Sequence, residues 1–150
     1  MVVSAGQRIT AGMFPATKSA RQDAAVDFTS TSFTETSTSN PFPSTTFVAP
    51  TSGEVTVSLT AWLENSGAAR TYLTYIIREG AVVGSGTTFF TGGDENSIVN
   101  NVAGDDDRDG IQEHITGLTP GATYNLRTRG RVGASAGKIL WQHVIVRPCY

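Results

Sequence analysis

An acidic segment in the second half of the chain carries the residue types of a cation site. Asp105, Asp107 and Asp109 alternate ahead of a glycine, as in the first half of a calcium-binding loop, where carboxylates converge around a tight turn. The position that should supply a bidentate glutamate is Thr116, although Glu113 offers a substitute in a non-standard loop. We therefore name the three aspartates as a calcium candidate, but we expect a solvated acidic loop and no bound metal.

A second charged pattern lies on a predicted strand. Arg127, Arg129 and Arg131 occupy every second position, so their side chains project from one face. Such a ladder of guanidinium groups can bind carboxylates or phosphates. It can also form an ordinary polar surface, or meet the acidic loop of a neighbouring subunit. Because the formal net charge of the chain is −2, nucleic acid is the least favoured partner.

The residue inventory gives little support to catalysis. His114 and His143 are the two histidines, and neither lies in a known motif with a nucleophile. Two histidines also leave a catalytic zinc site short of nitrogen ligands, and the single cysteine, Cys149, excludes an internal disulfide. A carboxylate pair for glycoside hydrolysis depends on spatial proximity, which the sequence leaves open. We expect no enzyme activity and no cofactor.

Two tryptophans indicate an interaction surface. Trp62 has the opposite parity to the apolar residues of its predicted strand, so it should face outward. Trp141 shares its parity with Ile139 and His143 in a last strand that is apolar on both faces. Exposed aromatic area of this kind marks a protein interface or a platform for sugars. We favour an interface formed by these four residues, and we predict a homotrimer.

Strands must position all of these residues, and the chain is patterned accordingly. Alternating apolar residues and turn signals predict strands at 54–63, 70–79, 81–90, 97–102, 111–115, 122–132 and 138–147. The Ser/Thr-rich stretch 29–46 is typical of a disordered linker, but its phenylalanines favour two strands joined by a turn at 40–43. The fold class is therefore all-β: an antiparallel, jelly-roll-like β-sandwich, with an immunoglobulin- or fibronectin III-like sandwich as the alternative.

Length and composition fit one domain behind an arm. A chain of 150 residues can bury a sufficient core, and charged residues make up only 16% of it, against about 25% in typical soluble domains. Residues 1–23 lack an apolar period, so we assign 1–23 as an extended N-terminal anchoring arm and 24–150 as the sandwich. The arm's expected contact residues are Gln7, Arg8, Ile9 and Phe14. No signal-peptide pattern or membrane-length apolar run is visible, so we expect neither export nor membrane binding.

Four sequence blocks suggest a family. They are SAGQRITA at 4–11, FVAPTSGEV at 47–55, REG at 78–80 and GLTPGATY at 117–124. As an ordered set they resemble small virion proteins of actinobacterial phages and related prophages. The resemblance implies a β-sandwich module on the phage head or tail, located in the virion and without catalytic residues.

The last block carries a second resemblance. Leu118, Pro120 and Tyr124 are similar to the corner before strand F of fibronectin type III and immunoglobulin-like domains, where a tyrosine hydroxyl bonds back to the chain. Within this block, Pro120 followed by Gly121 predicts a type II turn.

A short arm with one globular knob suits a capsid decoration protein, because the arm can grip the shell while the knob caps it. No heptad, collagen-like or β-helical repeat is visible that would form a fibre shaft. We therefore expect a non-enzymatic decoration protein that binds the major capsid protein or other virion proteins. The alternative is a minor tail or fibre-tip protein that binds host-surface glycan.

Overall fold

The computed structural model describes residues 14–100 and 107–150, with the backbone alone for Asp107. Within these ranges every regular element is a strand, apart from a 3-10 helix at Asp94–Asn96. The strands are β1 (Lys18–Gln22), β2 (Val26–Phe28), β3 (Ser44–Val48), β4 (Val55–Asn65), β5 (Thr71–Glu79), β6 (Thr88–Thr91), β7 (Ile98–Val99), β8 (Asp107–Ile115), β9 (Thr123–Val132) and β10 (Gly137–Pro148). This part of the chain contains no helix with the length and apolar character needed to cross a membrane.

The strands form two antiparallel sheets. The first sheet has the order β1–β10–β4–β8, with β2 also paired to β10, and the second has the order β3–β9–β5–β6, with β7 also paired to β5. Four of the pairs are nested in sequence: β2 with β10, β3 with β9, β4 with β8, and β5 with β6. A long hairpin folded over two sheets in this way is a jelly roll. The predicted all-β sandwich is confirmed, with jelly-roll rather than immunoglobulin-like topology.

Strand β4 shows how the sheets form a core. Its eleven residues alternate without a break between buried and more exposed positions, and Thr60 at the strand centre is an exposed one. The inward residues are at most 1% exposed: Val55, Val57, Leu59, Ala61 and Leu63. Burying apolar surface contributes roughly 25 cal/mol per Å² to the free energy of folding. These apolar side chains therefore determine which face of β4 packs against the second sheet. The predicted parity of β4 is confirmed, and Trp62 lies on the outward side.

Strand β1 lies inside the segment predicted to be an arm. It pairs with β10 from Lys18 opposite Val146 to Gln22 opposite Gln142, and Ala20 packs against the core. The sheet therefore begins at 18 rather than 24. The predicted boundary was placed where apolar alternation begins, and β1 has no such alternation. An edge strand can do without it, because backbone hydrogen bonds to its neighbour hold it in the sheet.

The Ser/Thr-rich segment does not form two strands. Residues 29–43 are irregular apart from one bridge between Thr34 and Gly130, and β3 begins only at Ser44. Hydroxyl groups bond to nearby backbone, as where the N–H of Thr36 donates to Oγ1 of Thr34, and such bonds compete with a ladder. Phe42 of this segment still contributes to the core, since it is buried.

The turn before β9 has the predicted geometry. The N–H of Ala122 donates to the carbonyl of Thr119 at 3.0 Å, and Gly121 has a φ of 79°, as a type II turn requires. The hydroxyl of Tyr124 accepts a hydrogen bond from the N–H of Thr119 at 3.0 Å. This tyrosine corner thus occurs in a jelly roll, and it does not distinguish the two sandwich topologies.

Candidate functional site

The arginine ladder projects from the outer side of β9 as predicted, and its carboxylate partner lies in the same chain. Glu35 accepts two hydrogen bonds from the guanidinium of Arg78, one of them 2.9 Å long, and lies 3.8 Å from Nη1 of Arg127. The hydrogen bond to Glu35 raises the pKa of Arg78. The side chains of Arg78 and Glu35 are only 14% and 20% exposed, so this ion pair is largely desolvated.

The other two arginines hold the loop that follows β6. Nη2 of Arg129 donates to the carbonyl of Gly92 at 2.7 Å, and its guanidinium lies 4.9 Å from the ring centre of Phe33. Burial lowers the pKa of Arg129. Nε of Arg131 donates to Asp94 at 2.8 Å, and the hydrogen bonding to Asp94 raises the pKa of Arg131. The ladder therefore binds loops of its own chain and holds them against the outer face of the second sheet.

Asn125 lies on the same side of β9 as the three arginines, toward the beginning of the strand, and it also binds a loop. Its side-chain amide donates to the carbonyls of Gly80 and Ser85 at 3.0 and 3.1 Å, and its carbonyl accepts from the N–H of Gly84 at 3.1 Å. Asn125 is 1% exposed, so these bonds satisfy a buried polar group. Along β9, the outer face of the second sheet is thus occupied by three loops of the same chain.

The described part of the acidic segment is a strand, not the predicted loop. Strand β8 begins at Asp107, and Asp107 and Asp109 pair with Leu63 and Ala61 of β4. An extended backbone does not make the turn that brings alternate carboxylates together around calcium. Asp105 lies outside the described residues, and among those described no group of three or more His, Cys, Asp or Glu side chains is placed to hold a metal ion.

Glu113, the substitute ligand, is engaged elsewhere. Its Oε2 accepts a hydrogen bond from the hydroxyl of Tyr75 at 2.5 Å, and its Oε1 accepts one from the side-chain amide of Asn96. Burial and the bond to Glu113 raise the pKa of Tyr75. These bonds connect β8 of the first sheet to β5 of the second, so Glu113 links the two sheets.

The outer face of the first sheet carries the predicted tryptophan cluster. Trp62 on β4 and Trp141 on β10 are in T-shaped contact, with ring centres 5.4 Å apart. Trp141 is 45% exposed, and His143 lies on the same side of β10. Three of the four predicted interface residues are therefore adjacent at an accessible surface.

Ile139 is the exception, because it is fully buried in the core. The register of β10 against β4 shifts between Leu140 and His143, where β10 contains one extra residue. A bulge of this kind reverses the alternation, so Ile139 faces inward while Trp141 and His143 face outward. The assignment of Ile139 to the interface was wrong because counting every second residue assumes an unbroken strand.

The same bulge presents Trp141 to the surface. Its φ of 47° lies in the left-handed region, which a bulky residue rarely adopts. Such backbone strain costs on the order of 1–3 kcal/mol and persists where the surrounding structure imposes it. Bulges that redirect one side chain are common beside binding sites.

An open depression of about 310 Å³ lies beside the tryptophans. It is lined by Arg21, Thr60, Arg108, Trp141 and His143. Cross-strand pairing brings them together, since Arg21 lies opposite His143, His143 opposite Thr60, and Arg108 opposite Trp62. Sequence reasoning missed Arg21, Thr60 and Arg108. All three residues occupy outward-facing positions of their strands. That pattern identifies a site only when the pairing register of the strands is known.

Of the predicted arm residues, Phe14 is the one that lies within the described chain. Its ring makes a T-shaped contact with Tyr150, with ring centres 5.0 Å apart, and the hydroxyl of Tyr150 donates to the carbonyl of Pro15 at 2.7 Å. Phe14 therefore contacts Tyr150 of its own chain. Gln7, Arg8 and Ile9 lie outside the described residues.

Comparison with known proteins finds similarity among solved structures alone. No protein-family model matches the sequence, and no curated protein matches it. Eiger TNF from S. frugiperda aligns with a TM-score of 0.43 and 9% identity, over 89% of this chain and 93% of that chain. The CBM22-1 xylan-binding domain from Paenibacillus barcinonensis Xyn10C aligns with a TM-score of 0.32 and 10% identity, over 88% and 87%. These likenesses concern the fold alone.

Proposed function

We propose that this chain is a non-enzymatic structural protein of a bacteriophage particle, a decoration protein that binds and caps the head shell. The observation that carries this proposal is the ordered resemblance of four sequence blocks to small virion proteins of actinobacterial phages. The jelly roll is compatible with it, because viral capsid domains use this architecture, although fold alone does not specify function. In this proposal the N-terminal residues bind the major capsid protein or another virion protein.

Replacing Gln7, Arg8 and Ile9 together by alanine is expected to abolish co-sedimentation with particles that lack this protein. The thermal transition should be unchanged, because the described core lies within 18–150. The matched control replaces Val82, Ser85 and Thr87, three exposed loop residues, by alanine and should bind normally. Full particle binding by the N-terminal triple variant would show that these residues are not the anchor.

The exposed ring of Trp141 beside the depression favours a second candidate, a minor tail or fibre-tip protein that binds host-surface glycan. An accessible indole offers an apolar face to the C–H groups of a sugar, while its polar neighbours can bond to hydroxyl groups. A glycan-array signal that is lost in Trp141→Ala would support this candidate. That readout is independent of particle co-sedimentation.

Self-association as a homotrimer stays a prediction, and a trimer formed through Trp141 would exclude glycan binding at the same surface. With Ile139 in the core, the apolar groups on the outward side of β10 are Leu140, Trp141 and Ile145. Light scattering at micromolar concentration is expected to give three times the mass of one chain. A chain that is monomeric both in solution and on the particle would contradict the prediction.

A further inference from the structure

We propose that the depression on the first sheet binds an acidic saccharide, with a uronic acid carboxylate held by arginine and a sugar ring placed on Trp141. This inference rests on the second candidate function, glycan recognition, and names the class of glycan. It follows from the chemistry that each wall of the depression offers.

Two guanidinium groups reach the depression from opposite edges of the sheet, Arg21 on β1 and Arg108 on β8. Asp23 engages Nε of Arg21, which orients the group and leaves the four N–H donors of its terminal nitrogens for a ligand. Within the described part of the chain, no carboxylate forms a salt bridge with Arg108. Paired guanidinium N–H groups match the geometry of a carboxylate, so these side chains select an acidic ligand.

The aromatic wall selects a ring-shaped ligand. In a T-shaped contact the edge of one ring meets the face of the other, so Trp62 covers at most one face of Trp141, which is 45% exposed. Thr60 and His143 add a hydroxyl and an imidazole that can bond to sugar hydroxyl groups. The volume of about 310 Å³ is near the lower limit of ligand pockets, roughly 300–1,000 Å³, and suits a ligand of one or two rings.

Other occupants fit this surface less well. A small inorganic anion would not use the exposed indole of Trp141. Single-stranded nucleic acid could stack on that indole, but its affinity comes from neutralising many successive phosphates, and the depression offers only the guanidinium groups of Arg21 and Arg108. A second copy of the chain seated here would desolvate Arg108, while the carboxylates of this face, Asp23 and Glu64, are already paired with Arg21 and Lys138. Burying an unpaired charge is costly.

The test uses the full-length chain, whose two tryptophans, Trp62 and Trp141, both lie at this site. Intrinsic fluorescence therefore reports directly on binding. Digalacturonate is expected to change the fluorescence with a saturable curve, and its dimethyl ester, which has the same rings without the charges, should bind at least about tenfold more weakly. Arg21→Ala and Arg108→Ala should each weaken digalacturonate binding about tenfold. Arg147→Ala, an exposed arginine of the same face bonded to Ser58, should leave it unchanged.

Calorimetry on Trp141→Ala and Trp141→Phe completes the test. The alanine variant should lose digalacturonate binding and the phenylalanine variant should keep most of it, with both remaining folded. Equal, Trp141-dependent binding of the acid and its ester would overturn the acidic class and leave glycan recognition standing, whereas binding of neither by the folded chain would overturn both. Binding of a single-stranded oligonucleotide through the same arginines, or a changed oligomeric mass in Trp141→Ala, would also overturn the inference.

Discussion

Gly86→Ala is expected to destabilise the sandwich by about 2–5 kcal/mol. Gly86 has a φ of 99°, and a Cβ at this position would lie 1.8 Å from the carbonyl oxygen of Glu79 at the end of β5. The loop passes this close because the N–H of Glu79 donates to the carbonyl of Thr87 at 2.9 Å as the chain returns toward β6. An added methyl group must therefore break this closure or displace β5.

Gly80→Ala is the matched control, because Gly80 begins the same loop and also has a φ of 99°. A Cβ there would meet no atom within 4 Å, so the substitution should cost only the left-handed backbone penalty of about 1–2 kcal/mol. Urea unfolding of both variants measures the difference. Equal losses of stability would show that backbone conformation alone, and not the approach to Glu79, makes glycine necessary at position 86.

This loop also shows where sequence patterns stop predicting the fold. The interval 81–90 was predicted as one strand, yet β6 spans only Thr88–Thr91, because the positive φ of Gly84 and Gly86 turns the chain before the strand begins. Alternation predicted β4 well, since every second residue there enters one core. The nested strand pairs, in contrast, depend on contacts between distant segments, and no local pattern encodes them.

The candidate site divides in the same way. The outward position of Trp62 follows from the parity of one strand, and so does the shared face of the arginine ladder. The depression requires Arg21 and Arg108, which are brought together only by the pairing of β1, β10, β4 and β8. For Ile139 the error was a wrong side of the strand. A one-residue bulge, which no residue type in the sequence indicates, turned the side chain to the side opposite the predicted one.

The partners of the ladder could not be predicted from strand periodicity either, since neither carboxylate lies on a strand. Glu35 lies in the Ser/Thr-rich segment and Asp94 follows β6. The two carboxylates nevertheless differ in environment, because the side chain of Glu35 is 20% exposed and that of Asp94 is 58% exposed. Charge pairs excluded from water are the ones whose disruption is costly, so the two loops should contribute unequally to stability.

Glu35→Ala is therefore expected to lower the free energy of unfolding by about 2–4 kcal/mol, because it leaves Arg78 and Arg127 largely buried beside each other without a counter-charge. Asp94→Ala removes a carboxylate that is 58% exposed, and Arg131 keeps its contact with the ring of Tyr72, so this variant should cost about 0–1 kcal/mol. Glu35→Gln keeps the shape of the side chain and one hydrogen-bond acceptor, so its loss of stability should fall between those of the two alanine variants.

Urea unfolding at low and high salt measures the loss of stability of each variant. Added salt should reduce only the contribution of Asp94, because screening acts on exposed pairs. Equal losses for the two alanine variants would mean that the desolvated ion pair does not hold the 29–43 segment on the second sheet.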